Sequence, residues 1–446
     1  MRQKWAVSLT VVMTIVAASL SSVAACENNR PGGTYVHKDL TLCWAQWSPA
    51  QGLIEVSKDF TAETGIKMHF ELLPWSRYWD YYFQPNRQGA KCDLLMGDTQ
   101  WLGGAAKSGT YLKLNDFLEK EGLSLEGFLP ATVREYSTWP KGSKNYYAVP
   151  GFGDALGWVY RKDWFERPEI RRDFKSQYGR DLAPPKTWDE LLEVAKFFQG
   201  REIDGRARYG AAIFTERASE GITMGVTSAL YAYGFNYEGT PGSHDMEGIV
   251  NSDGAVKGLE MYRKLYECCT PPGHTKAFMT ENLEAYDHGQ VAMQMIWFAF
   301  FPRIHQDSIL GSKSGFFANP SQKHTASVLG GQGLSVIACS DKTDKALQYI
   351  KWFMQPEVQK EWQASGGSST HRAVVEAPDF ASTTPFAAEY LVAMKNSKDF
   401  WQEPRFLELM RAMQQRVASY VVAGNGTAKE VLDNLIVDWA KTLEAQ

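Results

Sequence analysis

The chain has 446 residues, with 47 Lys and Arg against 51 Asp and Glu, a net charge of −4, and six cysteines. The mild acidity argues against a nucleic-acid binder, which needs a basic stripe to displace counterions. The length suits two or three domains of about 100–200 residues each and is ample for large cores.

Arg2 and Lys4 precede an apolar run from Ala6 to Leu20, followed by Ser21-Ser22-Val23-Ala24-Ala25 and then Cys26, the order of a secretory signal. The run is too short and wrongly flanked for a membrane span. Val23 and Ala25 suit ordinary cleavage after residue 25. Val-Ala-Ala-Cys also resembles the bacterial lipobox, with Val in place of the commoner Leu, so lipidation of Cys26 stays open. Either way the mature chain is exported and begins with a polar tether over residues 26–33. Losing two basic and no acidic groups takes its net charge to −6.

Strand and helix then alternate. Asp39 to Trp44 is a strand, Gln46 to Pro49 a loop, and Leu53, Val56 and Phe60 recur at helical spacing up to Gly65. Ile66, Met68, Phe70 and Leu72 alternate as a second strand that ends at Pro74-Trp75, and another helix carries Tyr78, Trp79, Tyr82 and Phe83. Cys92 to Met96 is a third strand, emptying into Gly97-Asp98-Thr99-Gln100-Trp101. The pattern predicts a parallel sheet, whose ligands sit beyond the carboxyl ends of its strands. Trp44, Trp47, Trp75 and Trp101 all fall there, beside Gln46, Asp98 and Gln100, which reads as a stacking pocket with polar anchors, although one or two of the four tryptophans should be core. Cys43 and Cys92 open strands expected to be neighbours and are the expected disulfide. Adjacent Cys268-Cys269 lacks the C-x-x-C spacing of a redox or zinc site and reads as ordinary or partly paired thiols.

Residues 145–164 read as the crossing into a second lobe. Tyr147 to Pro150 is strand-like and ends at a proline, Gly151, Gly153 and Gly157 loosen the backbone around Phe152 and Asp154, and a strand resumes at Trp158. Thr187 and Glu190 form a capping box for a helix whose buried stripe is Leu191, Leu192, Ala195 and Phe198. The stretch from Gly205 to Gly248, with a helix over Met224–Tyr233, offers little functional signal. A helix over Phe278–Ala292 leads to the strand starting at Met293, which runs into Trp297 and Phe298, both candidates for ligand contact. Ser327 to Ala338 is a glycine-broken strand returning to the first lobe, and it is no phosphate loop, since no Gly-Lys-Ser/Thr follows. Helices follow from Asp344 and from Glu357 to Gly366. The last, capped by Thr427 and Glu430, docks its apolar stripe on the second lobe.

Several segments in this order are similar to those of the family 1 extracellular solute-binding proteins of bacterial ABC importers, the group that includes maltose-binding and other sugar- and polyol-binding proteins. They are Phe60–Ile66, Gly103–Gly109, Tyr147–Pro150 with Tyr160–Asp163, Pro185–Glu190, and Gly331–Leu334 ahead of the helix containing Lys345. The resemblance spans nearly all of the mature chain. It implies an α/β architecture of the two-lobe periplasmic binding protein fold (type II), each lobe a mainly parallel sheet flanked by helices, with residues 34–149 and 333–397 in the N-terminal lobe and 150–332 and 398–446 in the C-terminal lobe. It also implies a periplasmic monomer that delivers a carbohydrate to permease subunits, with no cofactor and no metal. By position, ligand contacts fall on Trp44 to Trp47, Gln100, Trp101, Phe152 to Asp154, Trp297, Phe298, Gly331, Gln332 and Arg372. First-lobe Trp44, Trp47 and Trp101 are expected to face second-lobe Phe152, Asp154 and Trp297, with Asp98, Gln100, Asp154, Gln332 or Arg372 on the hydroxyls. Three other readings stay open: a binder of quaternary ammonium ligands, which would use an aromatic cage and a carboxylate; a glycosidase, with Asp98 and Asp154 as its carboxylate pair; and a sensor that docks on a receptor without transport. The sequence contains no H-E-x-x-H or G-x-S-x-G.

Overall fold

A computed structural model describes residues 38–74, 77–78, 92–218 and 220–445. The signal segment, the tether, Cys26, Trp75 and most of the helix expected around Tyr78–Phe83 lie outside these residues. In chain order the strands are β1 (Leu40–Ala45), β2 (Met68–Leu73), β3 (Leu94–Asp98), β4 (Val149–Phe152), β5 (Leu156–Arg161), β6 (Glu202–Ile203), β7 (Arg206–Ala207), β8 (Tyr209–Ala212), β9 (Val291–Trp297), β10 (Ser314–Ala318), β11 (Ser327–Val328), β12 (Gln332–Val336) and β13 (Ser397–Lys398).

Two principal sheets organise them. The first runs β2-β1-β3-β12-β4 and the second β10-β5-β9-β8. Strand β1 is parallel to β2 and β3, as the strand–helix alternation requires, with Leu42 opposite both Phe70 and Leu94. Strand β12 lies antiparallel to β3 and β4, and in the second sheet β5 is antiparallel to β9 and β10, so only β8 and β9 pair in parallel there. Both sheets are therefore mixed rather than mainly parallel. The reason is connectivity: β12 and β5 arrive directly from the other lobe and not through a crossover helix of their own.

Local chemistry explains the elements. Every residue of β1 is buried, as expected of a strand covered on both faces. Pro150, which has no N–H for a ladder, sits in β4 at the sheet edge. The helix Ser48–Thr64 takes Pro49 in its first turn and stops at Gly65, whose φ of 72° suits glycine. Thr187 caps the helix Trp188–Phe198, its hydroxyl accepting the Glu190 N–H at 3.1 Å. Thr427 and Glu430 form the expected box on Ala428–Glu444. That helix packs on the second lobe's Phe406–Val421, where the Trp439 indole donates to the Leu409 carbonyl at 2.7 Å.

The passage between sheets is short. β4 ends at Phe152 and β5 begins at Leu156, leaving Gly153, Asp154 and Ala155 to cross; Phe152 is thus a residue of the first sheet and not of the second lobe. The returning segment lies alongside, with the Gly330 N–H donating to the Asp154 carbonyl at 3.0 Å and Ala155 bridging to Leu329. A third passage follows near Ser397, where β13 pairs with β11.

Cys43 and Cys92 form a disulfide with Cα atoms 5.6 Å apart, and Cys268 is bonded to Cys269. The first bond ties β1 to the segment entering β3 across a sequence separation of 49. A Cys43→Ser/Cys92→Ser double variant should therefore lose about 2–4 kcal/mol of stability, a difference that reversible denaturant unfolding would read.

Candidate functional site

The strand ends of the two sheets meet around a cavity of about 200 Å³ at the crossing. Its walls come from four places. The end of β1 and the loop after it supply Ala45, Gln46 and Trp47; the end of β3 supplies Asp98; the crossings supply Asp154, Gly330 and Gln332; and the second lobe supplies Glu220, Phe278, Met279, Trp297 and Phe300. A larger groove of about 810 Å³ runs beside the helix Phe301–Gln306, between Pro302 and His305 on one side and Lys360 and Gly366 on the other. None of the sequence-selected residues lines it, so we place the candidate site in the smaller cavity.

Six of the sequence-selected residues line the cavity: Gln46, Trp47, Asp98, Asp154, Trp297 and Gln332. Others stand one layer behind. Trp44 is fully buried, packs its ring 5.6 Å from Trp47, and donates its indole N–H to the Gln332 side-chain carbonyl. Phe152 packs 4.9 Å from Trp47 from the other side. Both hold wall residues in place and neither lines the cavity. Gln100 is also buried and lies outside the lining, donating its side-chain N–H to a Glu220 oxygen at 2.8 Å, a bond between the lobes.

Four expected contacts lie elsewhere. Trp101 is core, stacked 5.2 Å from Tyr78. Phe298 points into an aromatic cluster with Phe301 and Tyr390, at 4.4 and 5.8 Å. Gly331 serves packing: a Cβ there would sit 1.7 Å from the Tyr136 hydroxyl. Arg372 has an exposed side chain paired with Glu376 at 3.1 Å, away from the cavity. Trp101 and Trp44 were both anticipated as pocket residues because they end strands; since both faces of the first sheet are covered, that position leads into core just as readily as into a cleft.

The carboxyl groups set the electrostatics. Asp154 fixes the crossing to the second lobe: one of its oxygens accepts the Ala155 N–H at 2.8 Å and the Ala299 N–H at 3.1 Å. Burial nevertheless holds its carboxyl well above the usual carboxylate range, with those N–H groups pulling the other way. Asp98 accepts the Gln100 backbone N–H at 3.1 Å, yet burial and then the charge of Glu220 raise it too. Glu220, just before the helix Gly221–Ala232, is pushed up to about 7 by burial, with Asp399 adding to the shift. The indole N–H of Trp47 has no acceptor among the described residues. Sequence reasoning missed Glu220, Phe278, Met279, Phe300 and Gly330. Phe278 and Met279 open the helix Met279–Asp287, and Phe300 lies in the turn after β9, where the aromatic run Trp297–Phe301 was the available signal.

Residues 55–420 match the family model for bacterial extracellular solute-binding proteins. The chain belongs to that family. A Sinorhizobium fredii protein named a probable amino-acid ABC transporter periplasmic-binding protein is 23% identical over 79% of this chain and 77% of its own length. A Deinococcus radiodurans protein named a probable ABC transporter-binding protein is 25% identical over 72% and 73%. Among solved structures, the maltose-bound MalE3 of T. maritima superposes with a TM-score of 0.73 at 21% identity, covering 90% of this chain and 98% of that one. A ribitol complex of an ABC transporter solute-binding protein from Agrobacterium radiobacter gives 0.68 at 21%, with the same coverage. These likenesses establish the two-lobe fold of the solute-binding protein.

Because the folded chain holds the Glu220 proton more tightly than an unfolded one does, this group favours folding at low pH, and its contribution declines as pH rises from about 4.5 to about 7. Thermal unfolding of Glu220→Gln should give a flatter profile across that window and a higher melting temperature than the parent above pH 7.

Proposed function

We propose that this solute-binding protein captures a small hydroxylated solute, a sugar or polyol, in the cavity at the crossing, and hands it to the permease of an ABC importer at the outer face of the inner membrane. The observation that carries the reading is the composition of the wall: aromatic Trp47 and Trp297 from opposite lobes, with Asp98, Asp154 and Gln332 between them. Indole rings stack on the C–H faces of sugars, and a few placed polar groups fix orientation. The volume matches about seven waters at the liquid share of ~30 Å³ each, the scale of one sugar ring or a short polyol. Maltose and ribitol in the superposed structures are consistent with this class. Export to the periplasm follows from the signal-like N-terminus, and a lipid on Cys26 would tether the protein near its permease.

Capture works through closure. Moving an open–closed equilibrium from 1:99 to 99:1 takes about 5.5 kcal/mol of preference for the closed form. Micromolar binding is worth about 8.2 kcal/mol in total, so most of the affinity has to come from contacts completed only when the lobes meet. Trp297 and Glu220 on one side, Trp47 and Asp98 on the other, are placed to supply them.

Calorimetric titration of a solute found by thermal-shift screening should show Trp47→Ala and Trp297→Ala weakened by about tenfold or more while both variants remain folded at the titration temperature. Trp101→Ala, which removes a core ring, should instead cost about 3–5 kcal/mol of stability. Unchanged affinity in both wall variants would remove the assignment.

A further inference from the structure

We propose that the solute carries a positive charge as well as hydroxyls, a protonated amine or quaternary ammonium on a polyol or sugar frame, countered by Asp98, Asp154 and Glu220 and seated against Trp47 and Trp297. The inference rests on the cavity being the solute site and adds the solute's chemical class.

The argument starts from what lines the cavity: three carboxyl groups and no Lys, Arg or His. Among the described residues, none of the three forms an ion pair. The groups acting on Asp98 are Glu220 and Gln100, those on Asp154 are backbone N–H groups, and those on Glu220 are Gln100 and Asp399. Lys141, whose charge acts on the neighbouring Asp399, is bonded to Glu135 at 2.9 Å.

Away from this cluster, which the buried Asp399 extends, the buried carboxylates among the described residues are paired. Asp93, 4% exposed, pairs with Lys342 at 3.0 Å, and Glu135, 2% exposed, pairs with both Arg134 and Lys141. Buried charges need a partner, and removing one from a pair leaves a costly uncompensated charge. Asp98 and Asp154, 5% and 3% exposed, face the cavity without one. Since no described residue lining the cavity is basic, the positive charge falls to the solute.

The other walls fit the same guest. Trp47, Trp297, Phe278 and Phe300 surround the acids, and aromatic faces attract ammonium groups once water is excluded. Gln332, 2% exposed, spends its carbonyl on Trp44, and its NH2 has no protein acceptor among the described residues, leaving a donor for a hydroxyl. An anionic solute would meet three carboxyl groups with nothing to balance them. The competing possibility is that the acids stay protonated and donate to a neutral polyol.

Titration calorimetry on the full mature chain at pH 8 separates the two, using amines that stay protonated at that pH, 1-amino-1-deoxysorbitol and its N-methyl derivative, each against sorbitol. At least one amine should bind about tenfold or more tightly than its neutral counterpart, and Glu220→Gln should erase most of that difference. A neutral member binding as tightly as its amine overturns the inference, and so does failure of both amines to bind at millimolar concentration. Trp297→Ala tells this failure from a failure of the site: a neutral binder whose affinity collapses in that variant overturns only the charge, whereas any solute bound equally by variant and parent overturns the site assignment itself.

Discussion

Everything functional in this molecule depends on how briefly its chain passes from one sheet to the other. Three residues, Gly153 to Ala155, separate β4 from β5, and the returning segment is hydrogen-bonded to them through Gly330 and Leu329. Such a passage cannot bring the sheets together face to face; it can only bring strand ends together. The cavity is what those ends enclose. Asp154 belongs to both parts of the design, since its backbone holds the crossing strand and its carboxylate holds the second-lobe turn at Ala299 while lining the cavity. A solute that touches Asp154 touches the hinge.

The wall residues are held by a layer behind them. Trp47 is braced between Trp44 and Phe152, Gln332 is oriented by the Trp44 indole, Glu220 by Gln100, and Trp297 lies so close to Gly330 that a Cβ there would sit 2.4 Å from its ring. Side chains fixed by packing and hydrogen bonds lose little entropy on binding, which favours affinity. The buried carboxyl groups work in the opposite sense: they lower the stability of the empty protein near neutral pH, a cost characteristic of sites whose polar groups wait for a ligand.

Much of the fold was legible in the sequence because its elements carry local chemistry. Caps at Thr187 and Thr427, the stop at Gly65 and the glycine break after Val328 all mark real boundaries. The sense of the strands was harder, because β5 and β12 enter their sheets across the crossing and no local pattern encodes that. At the site, the strand ends pointed to the right loops but could not say which tryptophan faces outward: Trp44 and Trp47 are three residues apart and take opposite roles, one within a strand buried on both faces and one just beyond it. Glu220 left no trace, being a single acid before an apolar helix, and only the approach of the other lobe gives it a role. Arg372 failed for the complementary reason, since its helix turns it outward to Glu376.

The central claim, that two lobes close over one cavity by bending at the crossings, is tested most directly by a distance. Spin labels at Glu63→Cys in the helix Ser48–Thr64 and Arg172→Cys in the helix Pro168–Tyr178, both exposed positions, report the separation of the lobes by pulsed electron paramagnetic resonance. Saturation with a bound solute should shift the distribution to a shorter, narrower distance, and at a solute concentration near the parent's Kd the shift should be much smaller in Trp297→Ala than in the parent. A distribution identical with and without saturating solute would contradict the account.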